Sequence, residues 1–202
     1  MRPERDESER TRPALVLREH AADDLRFIRD TMAQASGRSA FPGVGTMVIG
    51  AVALAASAWA ADAPGATAWL ARWLVGCVLS MAIGAMSMAF KTRASGPLFV
   101  PGVLRRFALV LTPPIVAGAL LTVRFQSGGR DVLPGIWLLL YGVGLTCGGA
   151  LSVAAVRAMG IAFMAIGAAA LFVPGHGDLW MAIGFGGLHV GFGAWIARRH
   201  GG

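Results

Sequence analysis

Long apolar runs separated by short polar breaks organise the chain beyond its first forty residues. Six of them suit a membrane-spanning helix, which needs about 20 mostly apolar residues. They are Val44–Ala60, Thr67–Phe90, Phe107–Val123, Pro134–Val156, Met159–Val173 and Leu179–Ala197. All are rich in Ala, Leu and Gly and lack the alternation of a barrel strand, so the pattern predicts helices. Ahead of them lies a polar arm, residues 1–42. Within it Leu25, Ile28 and Met32 recur at helical spacing opposite Asp23, Asp24, Arg26, Arg29 and Asp30. That spacing predicts an amphipathic helix over residues 21–36, closed by Ser36-Gly37 and Phe41-Pro42-Gly43. Such a helix lies on the membrane or the inner face of a bundle, or docks a partner.

The turns on one side repeat a theme. They read Asp62-Ala-Pro64-Gly65 with Trp69, Asp131-Val-Leu-Pro134-Gly135 with Trp137, and Pro174-Gly175-His176-Gly177-Asp178 with Trp180. Each supplies Pro-Gly to turn the chain, one carboxylate, and a Trp of the kind that favours the headgroup level. The first and fifth runs also match locally, Met47-Val-Ile-Gly-Ala-Val-Ala-Leu against Met164-Ala-Ile-Gly-Ala-Ala-Ala-Leu. The predicted fold is all-α: a polytopic membrane protein of six transmembrane helices in three consecutive hairpins, preceded by the cytoplasmic amphipathic helix.

Charge supplies the orientation. The arm carries eight Arg and eight Asp or Glu, and the rest of the chain carries ten Lys or Arg and three acids, for a net charge of +7. With six spans, fifteen of the eighteen basic residues fall on the side of both termini. Only Arg72, Arg124 and Arg130 fall on the other. The positive-inside rule then puts both termini in the cytoplasm. A pI of about 11.2 therefore reflects topology and not nucleic-acid binding.

Composition narrows the class further. Of 202 residues, 55% are hydrophobic and 14% charged, and the mean hydropathy is +0.62. An ordinary soluble domain carries about 25% charged residues, so a disordered chain and a soluble enzyme fit poorly. Cys77 and Cys147 lie inside apolar runs, which suits small packing residues and not a structural disulfide.

The closing stretch resembles a known type of chain. Met164-Ala-Ile-Gly through Pro174, Leu179-Trp180 and Gly184-Phe-Gly-Gly-Leu-His-Val-Gly-Phe-Gly to Arg198-Arg199-His200-Gly-Gly is similar to uncharacterised bacterial six-helix membrane proteins. That likeness covers most of residues 24–202. The hairpins are also similar to those of the HdeD-like acid-resistance membrane proteins, which have six helices in Gly-rich hairpins broken by Pro. This second likeness rests on one or two hairpins, and the polar arm departs from its pattern. The resemblance implies a bacterial inner membrane and supplies no catalytic residues.

Candidate chemistry is sparse. No Asp or Glu lies in any predicted span, and the only lysine is Lys91 in a cytoplasmic loop. Ion pathways usually place carboxylates in the membrane, so their usual signature is missing. His189 is the one ionisable side chain near the middle of a span, amid Gly184, Gly186, Gly187, Gly191 and Gly193. As a functional group it suits an axial ligand to haem or a chlorophyll-type magnesium, or a proton-accepting switch. As a structural group it is a neutral His bonded to Tyr141, Thr146, Ser152 or a backbone carbonyl. On the outer side Asp62, Asp131, His176 and Asp178 have suitable types for a divalent metal. Asp131 and Asp178 read equally as helix N-caps.

Gly144-x-x-x-Gly148 and Gly187-x-x-x-Gly191 form small-residue faces that pack helices within the bundle or between chains. Pro113-Pro114 is expected to kink the third span. Arg72 is expected to reach the outer headgroups and Arg157 to mark a tight inner turn. The sum favours a non-enzymatic accessory subunit or homo-oligomer in the bilayer, without a cofactor. The alternatives are a small transporter or channel near His189 and the Pro113-Pro114 kink, and a haem- or pigment-bearing subunit.

Overall fold

The computed structural model describes residues 42–95, 101–126, 129–149 and 154–200, and all regular structure among them is helical. Six helices are long and apolar enough to cross a membrane. They are α1 (Gly43–Ala61), α2 (Ala66–Ser95), α3 (Pro101–Phe125), α4 (Gly129–Gly149), α5 (Ala154–Phe172) and the composite α6. In α6, Gly177–Met181 is α-helical, Ala182–Leu188 is π-helical and His189–His200 is α-helical again. The amphipathic helix expected over 21–36 lies outside the described residues.

α2 runs on to Ser95 and α3 begins at Pro101, beyond the apolar runs, and both ends of α4 differ from the sequence reading. This helix starts at Gly129, five residues before the expected start, so that Pro134 is its sixth residue. Proline removes the N–H that would bond the Arg130 carbonyl. That carbonyl instead faces Gly177 at the start of α6, where any side chain would collide with it. At its other end α4 stops at Gly149, and Ala154, Ala155 and Val156 already belong to α5. Hydropathy does not divide the two helices, because the apolar run continues from one to the other. Gly149 packs on the Arg157 backbone.

The helices group by packing and not only by order along the chain. α1 packs on α2 and α6, and α4 packs on α3 and α5. α5 meets α4 far more extensively than it meets its other chain neighbour, α6. Glycines seven residues apart make the two closest pairs. Gly135, Gly142 and Gly149 of α4 face Gly160 and Gly167 of antiparallel α5, and a Cβ on Gly142 would stand 2.7 Å from the Gly160 carbonyl oxygen. Likewise Gly43 and Gly50 of α1 face Gly193 and Gly186 of α6, and a Cβ on Gly50 would stand 2.8 Å from the Gly186 carbonyl. A seven-residue repeat returns to the same helix face every two turns, as in a coiled coil. Backbone-to-backbone approach of this kind is what small residues permit in membranes.

The expected small-residue faces divide. Gly144 and Gly148 are buried, and Gly144 meets Leu111 and Pro114 of α3. Gly187 and Gly191 instead point out of the described bundle, with nothing within 4 Å of a Cβ at Gly191. α3 remains helical across Pro113-Pro114, and the Thr112 hydroxyl bonds the Ala108 carbonyl at 2.7 Å. Cys77 and Cys147 are exposed free thiols, so neither packs internally as the sequence suggested. α2 and α3 are peripheral: 11% of each apolar window is buried, against 50% for α4.

Two arginines close the end of α1, where a helix leaves its last carbonyls unpaired and negative. Arg130 of α4 donates to the Ala63 carbonyl at 2.7 Å and the Ala60 carbonyl at 3.3 Å. Arg72 of α2 bonds the Trp59 carbonyl, pairs with Asp62 and lies 5.4 Å over the Trp59 ring. Arg72 therefore acts inside the chain, where the sequence reading sent it to headgroups. Two of the three basic residues on this side thus have structural partners.

The glycine contacts make a direct prediction. Gly142→Ala pushes a methyl into backbone that has no room to move, and should cost about 1–3 kcal/mol. A lowered thermal unfolding midpoint in detergent is the expected reading, with Gly191→Ala leaving the midpoint in place.

Candidate functional site

The described bundle has one buried polar centre in its interior, built by α4, α5 and α6. His189 is 3% exposed, and its Nε2 shares a 2.9 Å hydrogen bond with the Tyr141 hydroxyl. Of the side chains expected from sequence, Tyr141 is engaged, and the Phe185 backbone answers to the carbonyl alternative. Thr146 donates to the Gly142 carbonyl at 2.8 Å and approaches the Met164 sulfur, satisfying its own helix. Ser152 lies outside the described residues.

Aromatic rings close the site. Phe185 stacks on the imidazole at 6.2 Å between centroids and 16° between planes. Phe163 meets the imidazole edge-on at 5.4 Å and Tyr141 edge-on at 4.9 Å. Edge and offset contacts of this kind suit the ring quadrupoles. Neither phenylalanine stood out in the sequence, because a Phe in an apolar run looks like any other core residue. The Gly-Phe-Gly-Gly stretch was the available signal. It falls in the π-helical segment, where the widened turn sets His189 toward Tyr141. Such segments are rare and recur at functional sites.

His189 Nδ1 is buried and makes no hydrogen bond of good geometry among the described residues, like Trp73 Nε1 and Arg130 Nε. The Phe185 backbone one turn back is its nearest partner, so Nδ1 is weakly paired within its own helix. A porphyrin does not fit the arrangement. Nε2 is engaged by Tyr141, Phe185 covers one face of the ring, and Phe163 approaches from another direction. Axial ligation through Nε2 runs in the ring plane and would have to displace Tyr141.

The outer candidates do not converge. Asp62 pairs with Arg72, and Asp178 accepts from Trp69 Nε1 at 2.5 Å. Asp131 accepts from the Gly175 N–H at 3.1 Å, and His176 Nδ1 donates to the Pro174 carbonyl at 3.3 Å. No group of three or more metal-ligating side chains gathers among the described residues. Asp131 and Asp178 sit in the first turns of their helices, but both tie separate elements together instead of capping their own. Ser57 of α1 adds a 2.9 Å bond to the Asp178 carbonyl.

The Trp residues of the repeated turns follow suit. Trp69 is 1% exposed and serves the core, contrary to a headgroup position. Trp137 donates to Thr122 of α3 at 3.0 Å, and its ring lies against Gly118. Trp180 donates to the Val173 carbonyl at 3.2 Å. Asp178, Trp69 and Ser57 together fasten α1, α2 and α6 at one end.

No family model, curated protein or solved structure matches the chain. The class is set by the fold: a multi-pass helical membrane protein, whose apolar helices suit contact with a lipid bilayer.

The central pair yields a test. Tyr141→Phe leaves Nε2 buried without its partner and should cost about 0.5–2 kcal/mol. Tyr141→Phe with His189→Phe removes both polar groups, and should restore most of that loss in a thermal melt.

Proposed function

We propose that the chain is a non-enzymatic subunit of the bacterial inner membrane, with cytoplasmic termini, that assembles with a second copy through the outward face of α6. One observation carries this reading. Gly187 and Gly191 are exposed glycines one turn apart, and neither has a neighbouring helix among the described residues. A glycine inside a helix costs about 1 kcal/mol relative to Ala. The other glycines of α6 offset that cost by close packing on α1 and α4, whereas these two have no such return among the described residues. A facing helix supplies one, since a four-residue spacing of glycines lets two backbones approach closely. Trp195 and Ile183, both exposed on this helix, flank the strip.

The substitution that tests this separates assembly from folding, because the space around both positions is open. Gly187→Leu with Gly191→Leu should keep the helical content of the wild type. The wild type should run as an oligomer in mild detergent by native mass spectrometry, and the variant as a monomer. A wild type that is monomeric and without partners in native membranes would sink the reading.

A second reading, a small-solute pathway, has one observation in its favour: the weakly paired Nδ1 of His189 beside a π-helical turn. It predicts flux in proteoliposomes that His189→Ala abolishes, and that the double variant Tyr141→Phe with His189→Phe, which leaves no orphaned polar group, abolishes as well. Absence of flux for small ions and neutral solutes counts against it.

A further inference from the structure

The described charges separate by end. All three described carboxylates, Asp62, Asp131 and Asp178, lie where α1 finishes and α6 begins, and each has a partner. At the opposite end Arg157 stands in the first turn of α5, and Arg198 and Arg199 stand in the last turn of α6. α5 and the last segment of α6 pack on each other, and Ile196 belongs to the same buried cluster as Ala155, Val156 and Met159. All three arginines are exposed, and none makes a hydrogen bond or ion pair with another described residue. Arg105, also exposed, lies toward the same end of α3, because Leu111 and Pro114 of that helix meet Gly144 of α4.

Arg157 is in an unusual place for a cation. The start of a helix carries positive partial charge, so a first-turn Arg is unfavourable there by itself. No acidic residue occupies that turn. Three exposed guanidinium groups stand at these helix ends with no carboxylate among the described residues of that end, so a phosphate group at this level complements their charge. They also stand at the depth where an apolar span gives way to polar chain, the level of a lipid headgroup.

We propose that Arg157, Arg198 and Arg199 bind the phosphate of an anionic phospholipid at the ends of α5 and α6. Guanidinium suits this ligand because its planar fork makes paired bonds to phosphate oxygens. The site is independent of the α6 oligomer face, which lies nearer the middle of that helix at Gly187 and Gly191.

The full chain, purified in mild detergent and titrated with phosphatidylglycerol or phosphatidylcholine, tests this by native mass spectrometry of retained lipid. Phosphatidylglycerol should be retained in preference, and less so as salt rises. Each of Arg157→Gln, Arg198→Gln and Arg199→Gln should lower that preference about fivefold, and the triple variant should abolish it. Arg124→Gln, at the opposite end, should change nothing. Equal retention of the two lipids by the wild type would overturn the proposal, because the arginines would then be neutralised elsewhere in the chain. So would a triple variant that keeps the preference. Displacement of the lipid by an equal concentration of inorganic phosphate would also overturn it, by showing a general anion site. The salt dependence of the wild type gives an independent reading should the triple variant fold poorly.

Discussion

Backbone contact between helices at glycine is the constraint on which the rest of this structure depends. In a bilayer the lipid is as apolar as the side chains, so hydrophobicity does not draw one helix to another. Dispersion and close approach must do so. Gly142 against Gly160 and Gly50 against Gly186 bring α4 to α5 and α1 to α6 with no side chain between them. Once those pairs are set, Tyr141 and Phe163 face α6 at a fixed depth, and the π-helical turn brings His189 to meet them. α2 and α3, outside these pairs, are left with mostly lipid-exposed faces.

Polar groups follow the same logic at higher stakes. A helix end buried in the bundle must find partners for its carbonyls, and α1 finds them in Arg72 and Arg130. The carboxylates of the outer turns are each engaged with a neighbouring element, which holds the turns together and leaves no set of ligands free to gather. The inner end has the opposite character, with arginines and no described acid. One end of the molecule is closed by its own ion pairs and hydrogen bonds. The other presents charge to whatever lies at the membrane surface.

Much of the architecture was legible in the chain. The number and approximate limits of the spans follow from apolar runs, because a helix in lipid must keep its side chains apolar along its whole length. His189 was legible for the same reason: a single ionisable residue in such a run stands out. Its partner was narrowed to a few residues but not chosen, and its aromatic surround was invisible. Phe163 and Phe185 carry no mark in a sequence with ten Phe, six of them in the predicted spans. The glycine faces were half legible. The four-residue spacings at Gly144–Gly148 and Gly187–Gly191 drew attention, whereas the seven-residue series that joins the helices passed unnoticed.

The sequence by itself determined that this chain is helical and apolar across six segments, and where its charges fall relative to them. These are local properties, fixed by the cost of exposing peptide and charge to lipid. Only the tertiary structure decided which helices touch, that Pro134 lies within α4, that Gly187 and Gly191 face outward, and that Tyr141 meets His189. Those outcomes depend on pairing between positions far apart in the chain. Hydropathy gives no preference among apolar faces; the fit of one backbone against another does.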